Sequence, residues 1–127
     1  MRNILIASGV IALATTASVA APRGAIPNAT PIGKPVSCIS TSRIRETHVH
    51  GDSTIDFTMN GGKVYRNTLP NACPSLGFEE RFLYKTSTSE LCSVDVITVL
   101  QSPGISQGAT CGLGMFQPVE LEKKNKR

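Results

Sequence analysis

The sequence predicts an all-β fold, a small antiparallel barrel or sandwich of five to six short strands stapled by disulfides. Three observations carry that reading. Alternating or β-branched stretches recur about every ten residues, separated by Gly-, Asn- and Pro-rich turn signals. No segment repeats apolar residues with the period of an amphipathic helix. Four cysteines, an even number, lie in the same part of the chain as the strands. At 127 residues there is room for one domain only, which excludes a large multi-domain enzyme and a nucleotide-binding α/β fold built from long βαβ units. Apolar residues make up 40% and charged residues 17%, so the middle of the chain is composed like a globular domain.

The ends are composed differently. Met1-Arg2-Asn3 is a short positive start, and Ile4–Ala14 is an apolar run of about 11 residues. A bilayer core needs roughly 20, so the run is too short to span. Small residues follow, and Ser18-Val19-Ala20 has the pattern a signal peptidase reads, giving a signal peptide over residues 1–20 and a mature chain from Ala21. Residues 21–37 carry Pro22, Pro27, Pro31 and Pro35, and are read as a disordered or polyproline-like linker because proline removes ladder donors. Residues 120–127 are read as a charged, flexible tail, with the β-rich domain between them at 38–119. The whole chain carries a net charge of +4, but residues 21–119 hold eight basic and seven acidic side chains, a net +1. The basic character is therefore concentrated in the tail, where Lys123, Lys124, Lys126 and Arg127 form a solvated terminus that could touch an anionic lipid or polymer. No later apolar stretch is long enough to span a membrane.

Within the domain, Ser42–His50 is rich in Thr, Val and Ile and is read as the first strand, closed by Gly51-Asp52. Ile55, Phe57 and Met59 then alternate with Thr54, Asp56 and Thr58, the pattern of a half-buried strand. Asn60-Gly61-Gly62 turns the chain into Lys63–Leu69, and Pro70–Pro74 stops that strand. Glu80–Thr86 places Phe82 and Tyr84 on one face. Leu91–Leu100 is apolar and β-branched on both faces, which predicts the central strand, covered on both sides. Ser102–Gly108 reads as a loop, and Ala109–Val119 as a last short strand interrupted by Gly112, Gly114 and Pro118.

Cys38, Cys73, Cys92 and Cys111 are spaced by 35, 19 and 19 residues. None forms a Cys-x-x-Cys pair, so neither a zinc knuckle nor a thioredoxin-like centre has local support. Two disulfides in an oxidising compartment are expected instead. A body of about 80 residues buries little over 60% of its unfolded surface, so its core alone is marginal. A crosslink closing a loop of some 20 residues adds on the order of 3 kcal/mol. Three pairings are open. The loop residues Pro74 and Gly112 beside Cys73 and Cys111 lean towards Cys73–Cys111 with Cys38–Cys92.

Several residues invite chemistry. His48 and His50 share a strand face, so two imidazoles could converge on Zn²⁺ or Cu²⁺, although no third ligand is identified. The plainer reading is two exposed histidines beside a turn. Asp95 sits in the apolar run, where it needs a backbone donor or an arginine (Arg43, Arg45 or Arg66), or else serves with His48 as a catalytic candidate. Glu79-Glu80 could supply paired carboxylates, but strand neighbours point to opposite faces, so a solvated edge with Arg81 is expected. Arg43, Arg45, Lys63, Tyr65 and Arg66 are candidate binding residues for an anionic ligand. The small body charge and the export signal count against nucleic acid. No Gly-x-Ser-x-Gly elbow supports a serine hydrolase, and Asn60–Lys63 lacks the strand–loop–helix setting of a phosphate loop.

Cys38-Ile39-Ser40, Thr54-Ile55-x-Phe57-x-Met59-x-Gly61-Gly62-Lys63-Val64-Tyr65-x-Asn67-x-Leu69-Pro70-x-x-Cys73-Pro74, Leu91-Cys92-Ser93-Val94-Asp95 and Cys111-Gly112-Leu113-Gly114-x-Phe116 together set a pattern over about Ser37–Val119. In these residues the chain resembles a family of small exported four-cysteine proteins, a domain of unknown function, from alphaproteobacteria, sphingomonad-type species among them. The resemblance implies a periplasmic or outer-envelope location in a Gram-negative cell, which makes the Asn28-Ala29-Thr30 glycosylation sequon irrelevant. It supplies no catalytic residue. The expectation is a non-enzymatic periplasmic β-module, without a cofactor, that binds an envelope protein or an anionic envelope polymer. The alternative is a small hydrolase or metal-binding protein using His48, His50 and Asp95.

Overall fold

The computed structural model describes residues 9–14, 25–104 and 106–123. The proposed cleavage region at residues 15–20 and the cations Lys124, Lys126 and Arg127 lie outside these. Among the described residues ten strands form three antiparallel sheets, so the fold is all-β, with more and shorter strands than the sequence spacing predicts. The largest sheet has five strands in the order β1 (Ala29–Pro31), β10 (Phe116–Leu121), β5 (Val64–Thr68), β4 (Thr54–Met59) and β3 (Ile44–His50). β6 (Phe82–Tyr84), β8 (Val96–Gln101) and β9 (Ser106–Gly112) make a second sheet, and β2 (Cys38–Ser40) and β7 (Glu90–Cys92) a third. The disulfides are Cys38–Cys92 and Cys73–Cys111.

The core lies between the five-stranded sheet and the two smaller ones. Alternation along β4 turns Ile55, Phe57 and Met59 inward, where they meet Ile39 and Leu91 from the two-stranded sheet and Ile97 and Val99 from β8. Phe57 meets Phe116 edge-on at 5.5 Å and Phe82 at 6.3 Å between ring centroids. Asn67 is fully buried here, and both ends of its amide are satisfied. Its Nδ2 donates to the Gly114 carbonyl at 2.7 Å, and its Oδ1 accepts the Gly114 N–H at 2.8 Å.

The strand covered on both faces is β4, not Leu91–Leu100. All six residues of β4 are buried, Thr54, Asp56 and Thr58 included. Leu91–Leu100 is instead cut by a turn into β7 and β8. The Asp95 N–H donates to the Cys92 carbonyl at 2.9 Å, and the Asp95 carboxylate accepts the Cys92 N–H at 2.7 Å. This double closure outweighs the β-branched composition and leaves Val94 88% exposed. Ala109–Val119 likewise resolves into two strands, β9 and β10, on different sheets.

The Pro-rich segment is not wholly irregular. Ala29–Pro31 pairs with Val119–Leu121, and Val36 bridges to Phe116. An edge strand needs inward donors only at alternate positions, and these come from Ile32, which donates to the Pro118 carbonyl, and from Val36, which donates to the Phe116 carbonyl. The same pairing places Glu120 and Leu121 in β10 rather than in a free tail. Pro70–Pro74 leads into one helical turn, α1 (Leu76–Glu79), whose Leu76 is buried in the core.

Candidate functional site

The most heavily buried polar cluster lies on the outer face of the five-stranded sheet. Register puts His48 of β3 opposite Asp56 of β4, and Asp56 opposite Arg66 of β5. Alternation puts His50 on that same face, two residues along from His48. Arg66 grips Asp56 with a two-pronged fork, Nε to Oδ1 at 2.8 Å and Nη2 to Oδ2 at 2.9 Å. His50 Nε2 donates to Asp56 Oδ2 at 3.1 Å. Arg66 Nη2 also donates to the Pro27 carbonyl at 2.9 Å, tying the segment before β1 to the sheet. The side chain of Asp56 is 1% exposed, those of Arg66 and His50 16% and 18%.

This cluster is built to hold its carboxylate in place. Both Asp56 oxygens are engaged by a permanent cation, so neither is free to act as a general base. His48 stands apart. It is 55% exposed, and its Nε2 lies 3.4 Å from Glu46 Oε1. The two histidines therefore have different partners and do not converge on one point. Asp95 is in the turn between β7 and β8, half-buried, with its carboxylate on the Cys92 N–H. His48, His50 and Asp95 do not assemble.

The candidate binding residues are split as well. Tyr65 pairs across from Phe57 and packs against the core, with Lys63 Nζ 5.0 Å from its ring centroid. Arg66, the next residue, points to the opposite face. Arg43 is exposed in a 3-10 turn (Thr41–Arg43), not on the strand, and its carbonyl accepts the Asn60 N–H at 2.8 Å. Arg45 sits at a register irregularity in β3, with Nη2 3.8 Å from Glu46 Oε1. Arg43 and Lys63 both flank the β4–β5 turn, because the Lys63 carbonyl accepts the Met59 N–H there. Two exposed cations thus share one end of the sheet. Glu79 accepts the Ser102 N–H, and Arg81 donates to the Gly104 carbonyl, so both brace the β8–β9 turn.

Among the described residues, one group of three side chains has metal-ligand spacing: Cys38, Glu90 and Cys92. Two of its atoms are the bonded sulfurs of a disulfide. An open groove of about 270 Å³ runs beside β1 and β10, lined by Asn28, Thr30, Glu120 and Glu122 among others. Of the residues singled out from the sequence as candidates for binding, the tail cation Lys123 lines it, and His48, His50, Asp95, Arg43, Arg45, Lys63, Tyr65 and Arg66 do not. No helix among the described residues is long and apolar enough to cross a membrane. No family model matches the chain, and no curated protein or solved structure matches it either.

Asp56 and Glu90 are the residues that sequence reasoning passed over. A signal for Asp56 existed. Counting outward from the Asn60-Gly61-Gly62 turn sets Asp56 across from Arg66, and opposite charges at directly paired positions are a contact to expect. No comparable signal marks Glu90, since β2 and β7 are far apart in the chain.

Proposed function

We propose that this chain is an exported β-module of a Gram-negative envelope that acts by binding rather than by catalysis. The observation that carries the reading is that all four cysteines are paired and none is free, the state an oxidising compartment sustains. Two further features support it. The apolar residues Val10, Ile11 and Leu13 are exposed and belong to no strand or core, as suits a leader rather than a structural segment. The buried ionisable cluster is spent on structure, with Asp56 neutralised by Arg66. The partner is an envelope protein or an anionic envelope polymer, met at the end of the sheet where Arg43 and Lys63 stand exposed.

Expression of the full chain in a Gram-negative host, followed by fractionation, intact mass and thiol counting, tests the location. The expected product is periplasmic, starts at Ala21 and has no free thiol. A full-length cytoplasmic product with reactive thiols would overturn the reading. Co-sedimentation with purified peptidoglycan sacculi and with lipopolysaccharide vesicles tests the partner. Binding that falls with salt and drops in R43E/K63E is expected. Binding unchanged in that variant would remove the cationic end from the account.

A further inference from the structure

We propose that the Cys38–Cys92 pair is a reversible thiol site which, when reduced, binds a soft divalent cation such as Zn²⁺ or Cd²⁺ with Glu90 as third protein ligand. The proposal rests on the register of the two-stranded sheet. Cys38 lies directly opposite Cys92 with Cα atoms 4.0 Å apart, and Ser40 lies opposite Glu90 on the second rung along. Alternation sends Cys38, Ser40, Glu90 and Cys92 to one face, and Ile39 and Leu91 to the other, where they are buried in the core. Both sulfurs and a Glu90 carboxylate oxygen lie within 4.8 Å of one another. Around a tetrahedral Zn²⁺, with Zn–S of about 2.3 Å and Zn–O of about 2.1 Å, ligand atoms stand about 3.6–3.8 Å apart. Small side-chain rotations bring the three atoms to that spacing.

The frame does not depend on the sulfur bond. Beyond one end of the rungs the Ser93 N–H donates to the Ser37 carbonyl at 2.7 Å, and beyond the other the Thr41 N–H donates to the Ser89 carbonyl at 2.9 Å. Ile39 and Leu91 hold the strand pair to the core from beneath. Reduced thiols therefore stay opposed. Access separates the two disulfides. Cys38 and Cys92 are both half-buried at the surface, whereas Cys73 is fully buried and shields one side of its bond to Cys111, which is half-buried against the core.

The chemistry balances with a dithiol reductant. Its two thiols pass two electrons and two protons to the Cys38–Cys92 bond, giving two cysteine thiols, and the reductant closes its own disulfide. The cation then displaces one proton from each thiol and forms two metal–sulfur bonds. The Glu90 carboxylate fills the third position and water the fourth. The metal changes neither charge nor oxidation state.

The test uses the folded full chain. Limited dithiothreitol under native conditions, followed by alkylation and peptide mapping, is expected to label Cys38 and Cys92 and to spare Cys73 and Cys111. The reduced protein should then take up one equivalent of Cd²⁺ with a thiolate-to-cadmium charge-transfer band that the oxidised protein lacks. Glu90 is exposed, so E90Q should fold and keep the band while its affinity falls about 10–100-fold or more, the range that even an outer-shell partner commands. Three outcomes would each overturn the proposal: labelling of Cys73 and Cys111 in preference, no cadmium band after selective reduction, or an E90Q affinity equal to that of the parent. Circular dichroism adds a fourth, because a reduced protein that unfolds shows that the rung needs its sulfur bond.

Discussion

Replacing Arg66 by Met tests how much of the fold hangs on the Asp56 cluster. The substitution keeps most of the aliphatic length and removes the charge. Three hydrogen bonds disappear, two to Asp56 and one to the Pro27 carbonyl. What remains is a carboxylate with 1% of its side chain exposed and a single donor, His50. Breaking one side of a buried pair costs about 3–5 kcal/mol, because the surviving charge has lost both its partner and its water. Domains of this size have some 5–15 kcal/mol in total, and 1 kcal/mol moves the melting temperature by about 4–8 °C. R66M should therefore melt on the order of 20 °C below the parent. The chain has no Trp, so far-UV circular dichroism in a urea or thermal titration is the suitable probe. The control is D56L/R66M, in which both charges go and apolar atoms replace them. It should be more stable than R66M alone, since no charge is left stranded. A loss below about 1 kcal/mol in R66M would refute the reasoning, and so would a double variant less stable than R66M.

Three other outcomes follow from the packing. Val94→Ser should change stability by no more than about 0.5 kcal/mol, whereas Ile97→Ala, three residues on and fully buried, should cost about 2–5 kcal/mol; similar losses from both in urea titrations would contradict the turn at Ser93–Asp95. Gly114→Ala should be severely destabilising, since an added Cβ would clash with the Thr68 carbonyl oxygen, on backbone that cannot swing aside. Its urea midpoint should fall well below that of Gly112→Ala, where the added carbon meets open space. Asn67→Ala should cost about 2–4 kcal/mol by stranding the buried N–H and carbonyl of Gly114, and hydrogen exchange at Gly114 should rise sharply relative to the parent.

The β4–β5 hairpin was legible because local signals agree there. Asn60-Gly61-Gly62 supplies two residues at positive φ, and strict alternation on either side fixes which face is buried. The outer half of β4 was not legible. Thr54, Asp56 and Thr58 look like a solvated face to any reading by periodicity, yet all three are buried, and over Asp56 it is Arg66 and His50 that close, with Arg66 tied to the segment before β1. Leu91–Leu100 misleads in the other direction. Its composition favours one long strand, but a single carboxylate at Asp95 caps a turn inside it. The prolines hide β1 for a related reason: their cost is real in a central strand and small at an edge whose missing donors face outward. His48, His50 and Asp95 drew attention as chemically distinctive side chains, yet what decides a site is which of them face the same way at the same depth. That depends on contacts between segments distant in the chain, and composition does not carry them.

The two disulfides close loops of similar length, with separations of 54 and 38 residues, and chain entropy assigns each about 4 kcal/mol. What they join is different. Cys73 follows the last strand of the β4–β5 hairpin, and Cys111 lies in β9 of the opposing sheet, so this bond ties the two layers of the sandwich together through the core. Cys38–Cys92 joins neighbours within one small sheet whose backbone ladder already holds them together. Severing the first removes the covalent tie between the two layers that bury Ile97, Val99 and Phe57. Severing the second removes a crosslink from the unfolded chain but leaves the native contacts standing. The first bond thus braces the sandwich across its layers, and the second is the one that can open while the fold persists. A small domain with a marginal core can tolerate a reactive sulfur pair only at a position of that second kind.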